Sequence, residues 1–184
     1  MKRLLPLALL ALTWTACQTD EPEVCTVPNE GEVITTVTLT FTPESGAAVE
    51  WTFDDPDGDG GEDGTTTTAP LAANTSYTVV ATLLDASQDP AEPIHEEVEE
   101  EAEEHQMFYV VSGANITFAY NDTDANGNPL GLEMTATTGD ASSGDVTVIL
   151  RHEPDKDAEG VADGDVTNAG GETDVEVTFD ADVE

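Results

Sequence analysis

Positive charge is what this chain has least of. It carries 4 Lys and Arg against 40 Asp and Glu, a formal net charge of −36 over 184 residues. Lys2 and Arg3 sit at the start, which leaves Arg151 and Lys156 for all the rest. Such a surface repels phosphate, so nucleic acid and anionic membrane surfaces are disfavoured as partners. Cations are favoured. Cysteine is scarce too: Cys17 and Cys25 are the two, and neither lies in a catalytic or CxxC motif. Long apolar runs are missing. The run from Leu4 to Leu12, broken by Pro6, is too short to cross a bilayer as a helix of about 20 residues. The chain holds no G-x-S-x-G, P-loop or zincin motif. Its carboxylates are so common that no pair of them stands out. The expectation is therefore a binding or structural protein and not an enzyme.

What is present first is an address. Met1-Lys2-Arg3, the apolar run, and Thr13-Trp14-Thr15-Ala16 before Cys17 form an export signal over 1–16, with basic, apolar and small-residue regions in order. A cysteine at that boundary resembles the lipobox of bacterial lipoproteins, which predicts lipid on Cys17 and a tether over 17–31. Trp14 stands where a lipobox usually has Leu. The competing reading is plain secretion, with Cys17 and Cys25 closing a small disulfide loop. The acidic residues Asp20, Glu21 and Glu23 after Cys17 resemble the surface-export signals of Bacteroidetes-type lipoproteins. They imply a lipid anchor in the outer membrane, periplasmic or surface-facing.

The acid itself has a bland explanation. In high salt, abundant surface carboxylates stay hydrated and their repulsion is screened. A halophilic protein needs no ligand to justify this charge.

From residue 32 onward the pattern is that of strands. Val37, Leu39 and Phe41 alternate with Thr36, Thr38 and Thr40, giving one apolar and one polar face. Val49-Trp51-Phe53, Thr65 to Ala69, Tyr77 to Leu84, Met107 to Val111, Ile116-Phe118-Tyr120, Leu132-Met134, Val146-Val148-Leu150 and Val175-Val177-Phe179 continue it. Val80 and Leu84 are apolar on the second face of their run, which predicts a central strand buried on both sides. About nine short strands divided by Gly, Pro, Asn and Asp predict an all-β fold over 32–184, a single antiparallel, immunoglobulin-like β-sandwich. The acidic insert 86–105 breaks the pattern. Ile94, Val98 and Ala102 recur every four residues, so a short acidic helix is one reading; mutual repulsion of the Glu run makes a loop the other.

Two acidic loops carry the clearest chemistry. Asp122, Asp124, Asn126, Gly127 and Glu133 match the D-x-[DN]-x-[DN]-G-x5-E pattern, in which alternate side-chain oxygens wrap Ca²⁺. Asp55, Asp57, Asp59 and Gly60 form a poorer copy. Asp155, Asp157 and Glu159 are a third candidate. Asn126-Gly127 also makes an ordinary hairpin turn without metal. The loops follow Phe53 and Tyr120, each ending an aromatic strand, which suggests two related hairpins packed face to face. His95, His105 and His152 are the histidines. Two of them with a carboxylate make a Zn²⁺, Cu²⁺ or Ni²⁺ site if the fold joins them, and His105, His152 and Glu104 are the candidates. Otherwise they are solvated, with pKa values raised by the acidic field. Trp51, Phe53, Phe118 and Tyr120 fit a sandwich core better than a carbohydrate platform.

The stretches Glu96 to Glu101 with Glu104-His105-Gln106, Leu150 to Pro154, and Asp163 to Val177 resemble a family of small acidic lipoproteins from Bacteroidetes and related bacteria. The resemblance covers most of the chain beyond the signal. That family is often labelled a type 1 periplasmic binding fold, which implies two lobes of alternating strands and helices; the residues here offer neither the length nor the helices. Association of such proteins with TonB-dependent outer-membrane receptors implies help with uptake of a metal or metal complex. The combined expectation is a cell-envelope lipoprotein whose β-sandwich binds divalent cations beside such a receptor. The alternative is a structural or adhesive surface module whose acidity reflects salt alone. A solute-binding protein for an organic ligand comes third.

Overall fold

A computed structural model describes residues 32–56, 58 and 64–184. The export signal, Cys17, Cys25 and the tether lie outside the described residues, as do Asp57, Asp59 and Gly60 of the first acidic loop.

Among the described residues nine strands build two antiparallel sheets. They are β1 (Thr36–Pro43), β2 (Val49–Asp54), β3 (Thr65–Thr67), β4 (Ser76–Leu84), β5 (His105–Ser112), β6 (Ile116–Tyr120), β7 (Glu133–Thr138), β8 (Ser142–His152) and β9 (Glu172–Val183). The larger sheet runs β3-β2-β1-β4-β7-β6 and the smaller β5-β8-β9. The all-β sandwich follows from the alternation. In β1 Val37, Leu39 and Phe41 are fully buried, and in β9 Val175, Val177 and Phe179 turn inward to meet them across the core. Leu39 stands opposite Trp51 on β2 and Ala81 on β4, so each apolar face is built from neighbouring strands in register.

Strand β4 is central, yet Val80 is 42% exposed. Burial on both faces is not what the fold provides. A three-stranded layer covers one face of the six-stranded sheet, and the other meets water with its threonines, as antiparallel sheets commonly do. The helix reading of the insert holds for α1 (Ile94–Glu100), which buries Ile94 and Val98 and leaves its Glu residues outside. A second, smaller core of Phe108, Ile149, Val161 and Ala169 lies under the connection between β8 and β9.

The two acidic loops do not belong to hairpins stacked face to face. Strands β2 and β3 form one hairpin and β6 and β7 another, at opposite edges of the same sheet. Strands β2 and β6 run in the same direction, so both loops emerge at one end. The start of β1, helix α1, the start of β5 and the end of β8 share that end.

Candidate metal centre

The first pairing of β5 with β8 puts His105 opposite His152. Cross-strand partners on one face are close neighbours, and the two imidazoles stack with centroids 4.7 Å apart and planes at 30°. The third member comes from an irregularity. Leu150 pairs with Val175 but Arg151 pairs with Thr173, so Asp174 is an extra residue in β9. Such a bulge re-aims a side chain, and the Asp174 carboxylate is 1% exposed beside His105 at 0%. Backbone contact fixes the margin. A Cβ on Gly171, where φ is +69°, would overlap the carbonyl oxygen of His152.

The protons on this cluster can be assigned from its partners. His105 Nδ1 lies 3.2 Å from the carbonyl oxygen of Glu101. That oxygen only accepts, so Nδ1 carries the proton and Nε2 of the neutral ring presents a lone pair. Among the described residues Nε2 has no hydrogen-bond partner, nor has Asp174 Oδ2, and the two lie 3.9 Å apart. Two buried acceptors thus face each other with no donor between them. Burial lowers the His105 pKa below its usual value, and the nearness of His152 adds to this, against the Glu101 carbonyl and the Asp174 charge. Burial raises the Asp174 pKa. The general rise expected for the histidines is therefore reversed at His105, because desolvation outweighs the acidic field.

His152 reaches two ways. Nδ1 is 4.0 Å from Asp174 Oδ1, and Nε2 is 3.8 Å from Oε2 of Glu104, a side chain 55% exposed. Donor atoms of His105, His152 and Asp174 all lie within 4.8 Å of one another; so do those of Glu104, His152 and Glu153, and those of Glu32, Glu101 and His105. Glu32 has its pKa pushed up to about 7, by burial first and then by the charges of Glu97 and Asp174. A cleft of ≈ 610 Å³ lined by Glu32, Phe53, Asp55 and Asp174 opens onto this end.

Two imidazole nitrogens and a carboxylate oxygen suit Zn²⁺, Cu²⁺ or Ni²⁺ better than Ca²⁺, which takes six to eight oxygens. Tetrahedral donors at about 2.05 Å from an ion stand roughly 3.4 Å apart. The observed separations, 3.9 Å from His105 Nε2 to Asp174 Oδ2 and 4.0 Å from His152 Nδ1 to Asp174 Oδ1, would need to close by about half an ångström, with the carboxylate turning one oxygen to the ion. Three protein donors leave a fourth position open.

The acidic loops are organised differently. Asp122 Oδ1 and Oδ2 accept from the amides of Gly131 and Glu133, and Asp124 Oδ1 accepts from those of Asn126 and Asn128. The Asn126 side chain donates through Nδ2 to Glu103 Oε1. A cation is already present, and it is Lys156. Its ammonium donates to Asp124 Oδ2 at 3.0 Å and to the carbonyls of Ala102 and Pro129 at 2.6 and 3.1 Å. Among the described residues Asp122, Asp124 and Glu133 form no group of ligand atoms within 4.8 Å of one another, although all three line one cleft with His95. Asp55 lies on the cleft that leads to Asp174. In the third candidate, Asp155 accepts from the amide of Asp157 in a local turn. His95 stands apart on α1, bonded to the Leu83 carbonyl. Of the aromatics, Trp51 is fully buried with its indole donating to Ala69; Phe53, Phe118 and Tyr120 are half-buried and pack against the core, and the Tyr120 hydroxyl donates to the Met107 carbonyl.

Sequence reasoning finds His105, His152 and Glu104 but misses Asp174 and Glu32. Alternation with Val175 and Val177 places Asp174 on the outer face of β9, and nothing in the residues announces the bulge.

Comparison of the chain with protein-family models, with curated proteins and with solved structures gives no match.

Proposed function

We propose that this protein is a cell-envelope lipoprotein whose β-sandwich holds one borderline divalent ion, Zn²⁺ or a neighbour such as Cu²⁺ or Ni²⁺, between His105, His152 and Asp174. The observation that carries this reading is the lone pair of His105 Nε2 facing Asp174 Oδ2, both buried, at 3.9 Å. Burying two acceptors against each other is costly unless a proton or a metal ion joins them. The lowered His105 pKa keeps the ring neutral, the state in which imidazole ligates metal. Attachment through Cys17 belongs to the same proposal. The chain enters the sandwich at Glu32, within reach of the His105 donor, so a tether over 17–31 would hold the ion-bearing end nearest its anchor. Delivery of the ion to an outer-membrane receptor is the role this arrangement fits.

Thermal unfolding of the full chain with ZnCl₂, CuCl₂, NiCl₂ or CaCl₂ at matched, high ionic strength tests the ion. Raised melting temperatures with the borderline metals, beyond any effect of CaCl₂, support the proposal. Identical curves in all four salts would favour the structural module whose acid answers only to salt. Metal analysis of protein purified from its native envelope identifies the ion held there.

A further inference from the structure

We infer that His152 is a two-faced relay ligand, which takes an ion from solvent on its Nε2 side and passes it to the buried pocket on its Nδ1 side. The inference rests on the proposed His105–His152–Asp174 site and adds how that site is filled.

The outer side is a second donor set. Glu104 and Glu153 are exposed, and their carboxylates join His152 in a group whose ligand atoms lie within 4.8 Å of one another. Backbone geometry locks the pair together. The Glu153 amide donates to the Glu104 carbonyl at 2.6 Å, and Glu153 holds φ at +49°, a left-handed conformation uncommon for a residue with a side chain. The inner side is buried and incomplete, with His105 Nε2 and Asp174 Oδ2 lacking hydrogen-bond partners among the described residues. The His152 ring, 7% exposed, turns Nε2 to Glu104 of the outer set and Nδ1 to Asp174 of the inner one.

The chemistry of imidazole then limits what can happen. A neutral ring carries one proton and offers one lone pair at a time. His152 can ligate through Nε2 with Glu104 and Glu153, or through Nδ1 with Asp174 and His105, but not both. The two sets are therefore alternatives for a single ion. Transfer breaks the Nδ1–H bond and forms an Nε2–H bond, with water taking the first proton and returning one to Nε2; apart from these, only metal–ligand bonds change, and the net proton count of the ring is unaltered. The exposed carboxylates strip the first waters from the ion, and the buried set holds it.

The test is zinc kinetics on the full chain, followed by competition with a chromophoric chelator in stopped flow, together with the stoichiometry at saturation. The wild-type chain should take one Zn²⁺. The double substitution Glu104→Gln/Glu153→Gln should slow both uptake and release about tenfold, leaving Kd within about threefold, because a relay lies on the path in both directions. Glu44→Gln/Glu50→Gln removes the same charge from exposed positions away from the site and should leave both rates nearly unchanged. In Asp174→Asn, imidazole ¹⁵N spectra should show zinc on Nε2 of His152; in the wild type they should show it on Nδ1. Two ions per chain overturn the relay. So does equal slowing in both charge-removing variants, or a weakened Kd with unchanged uptake, which would make Glu104 and Glu153 ordinary ligands. A wild-type chain that takes no Zn²⁺ overturns the buried site itself.

Discussion

Replacing Lys156 by methionine removes the internal cation of the second acidic loop and keeps most of the side-chain volume. The Lys156 side chain is 5% exposed and that of its partner, Asp124, 1%. All three of its protons are used, on Asp124 Oδ2 and on the carbonyls of Ala102 and Pro129. The variant leaves a buried carboxylate oxygen and two carbonyls without that donor. Removing one member of a buried ion pair costs about 3–5 kcal/mol. With a urea dependence of about 2 kcal/mol per molar, the midpoint should fall by about 1.5–2.5 M. The assay is urea unfolding in high salt, where repulsion among the other carboxylates is screened. Lys156→Met/Asp124→Asn should recover part of the loss, since the asparagine oxygen still accepts from Asn126 and Asn128. Burial raises the Asp124 pKa, but its bonds to Lys156 and to those amides outweigh this and hold it below the usual value. The stabilisation is thus present above the ordinary carboxylate pKa and lost as pH falls through the depressed one, a dependence Lys156→Met should flatten. A loss under about 1 kcal/mol would mean a solvated surface pair and refute the reasoning.

Three other variants probe the frame of the site. Glu32 has its folded pKa raised to about 7. Its folded state therefore keeps a proton that the unfolded chain releases, and stability drains away as pH rises from about 4.5 to 7. Glu32→Gln should remove that slope and raise the urea midpoint at pH 8. Gly171→Ala forces a Cβ onto the His152 carbonyl at positive φ; it should destabilise by about 1–3 kcal/mol in urea unfolding and weaken zinc binding with it. Trp51→Ala empties a fully buried position and leaves the Ala69 carbonyl without its donor, which calorimetry should register as about 3–5 kcal/mol.

The layers of the fold were legible because burial in an antiparallel sheet repeats every second residue. Val37-Leu39-Phe41 and Val175-Val177-Phe179 state the period directly, and Ile94 with Val98 states that of the helix. What one strand's pattern does not carry is how many faces of its sheet are covered, so Val80 reads as buried and is not. The candidate site was half legible. His105 and His152 stand out by rarity, but their pairing depends on strand register between distant segments. Asp174 was hidden because a bulge is a local departure from the very alternation that reveals the strand. The calcium-loop pattern was real as a pattern. In the folded loop Asp122 and Asp124 accept from the loop's own amides, and Asp124 accepts also from the ammonium of Lys156, 32 residues beyond it.

The central claim is that one borderline divalent ion sits between His105, His152 and Asp174. Titration calorimetry of the full chain with ZnCl₂ in high salt, beside Asp174→Asn, tests it most directly. The account predicts one Zn²⁺ per chain and an affinity loss in the variant above the 10–100-fold or so that an outer-shell change costs, with CaCl₂ unable to replace the zinc heat. Absence of saturable zinc binding, or an Asp174→Asn isotherm that overlays the wild type, would contradict it.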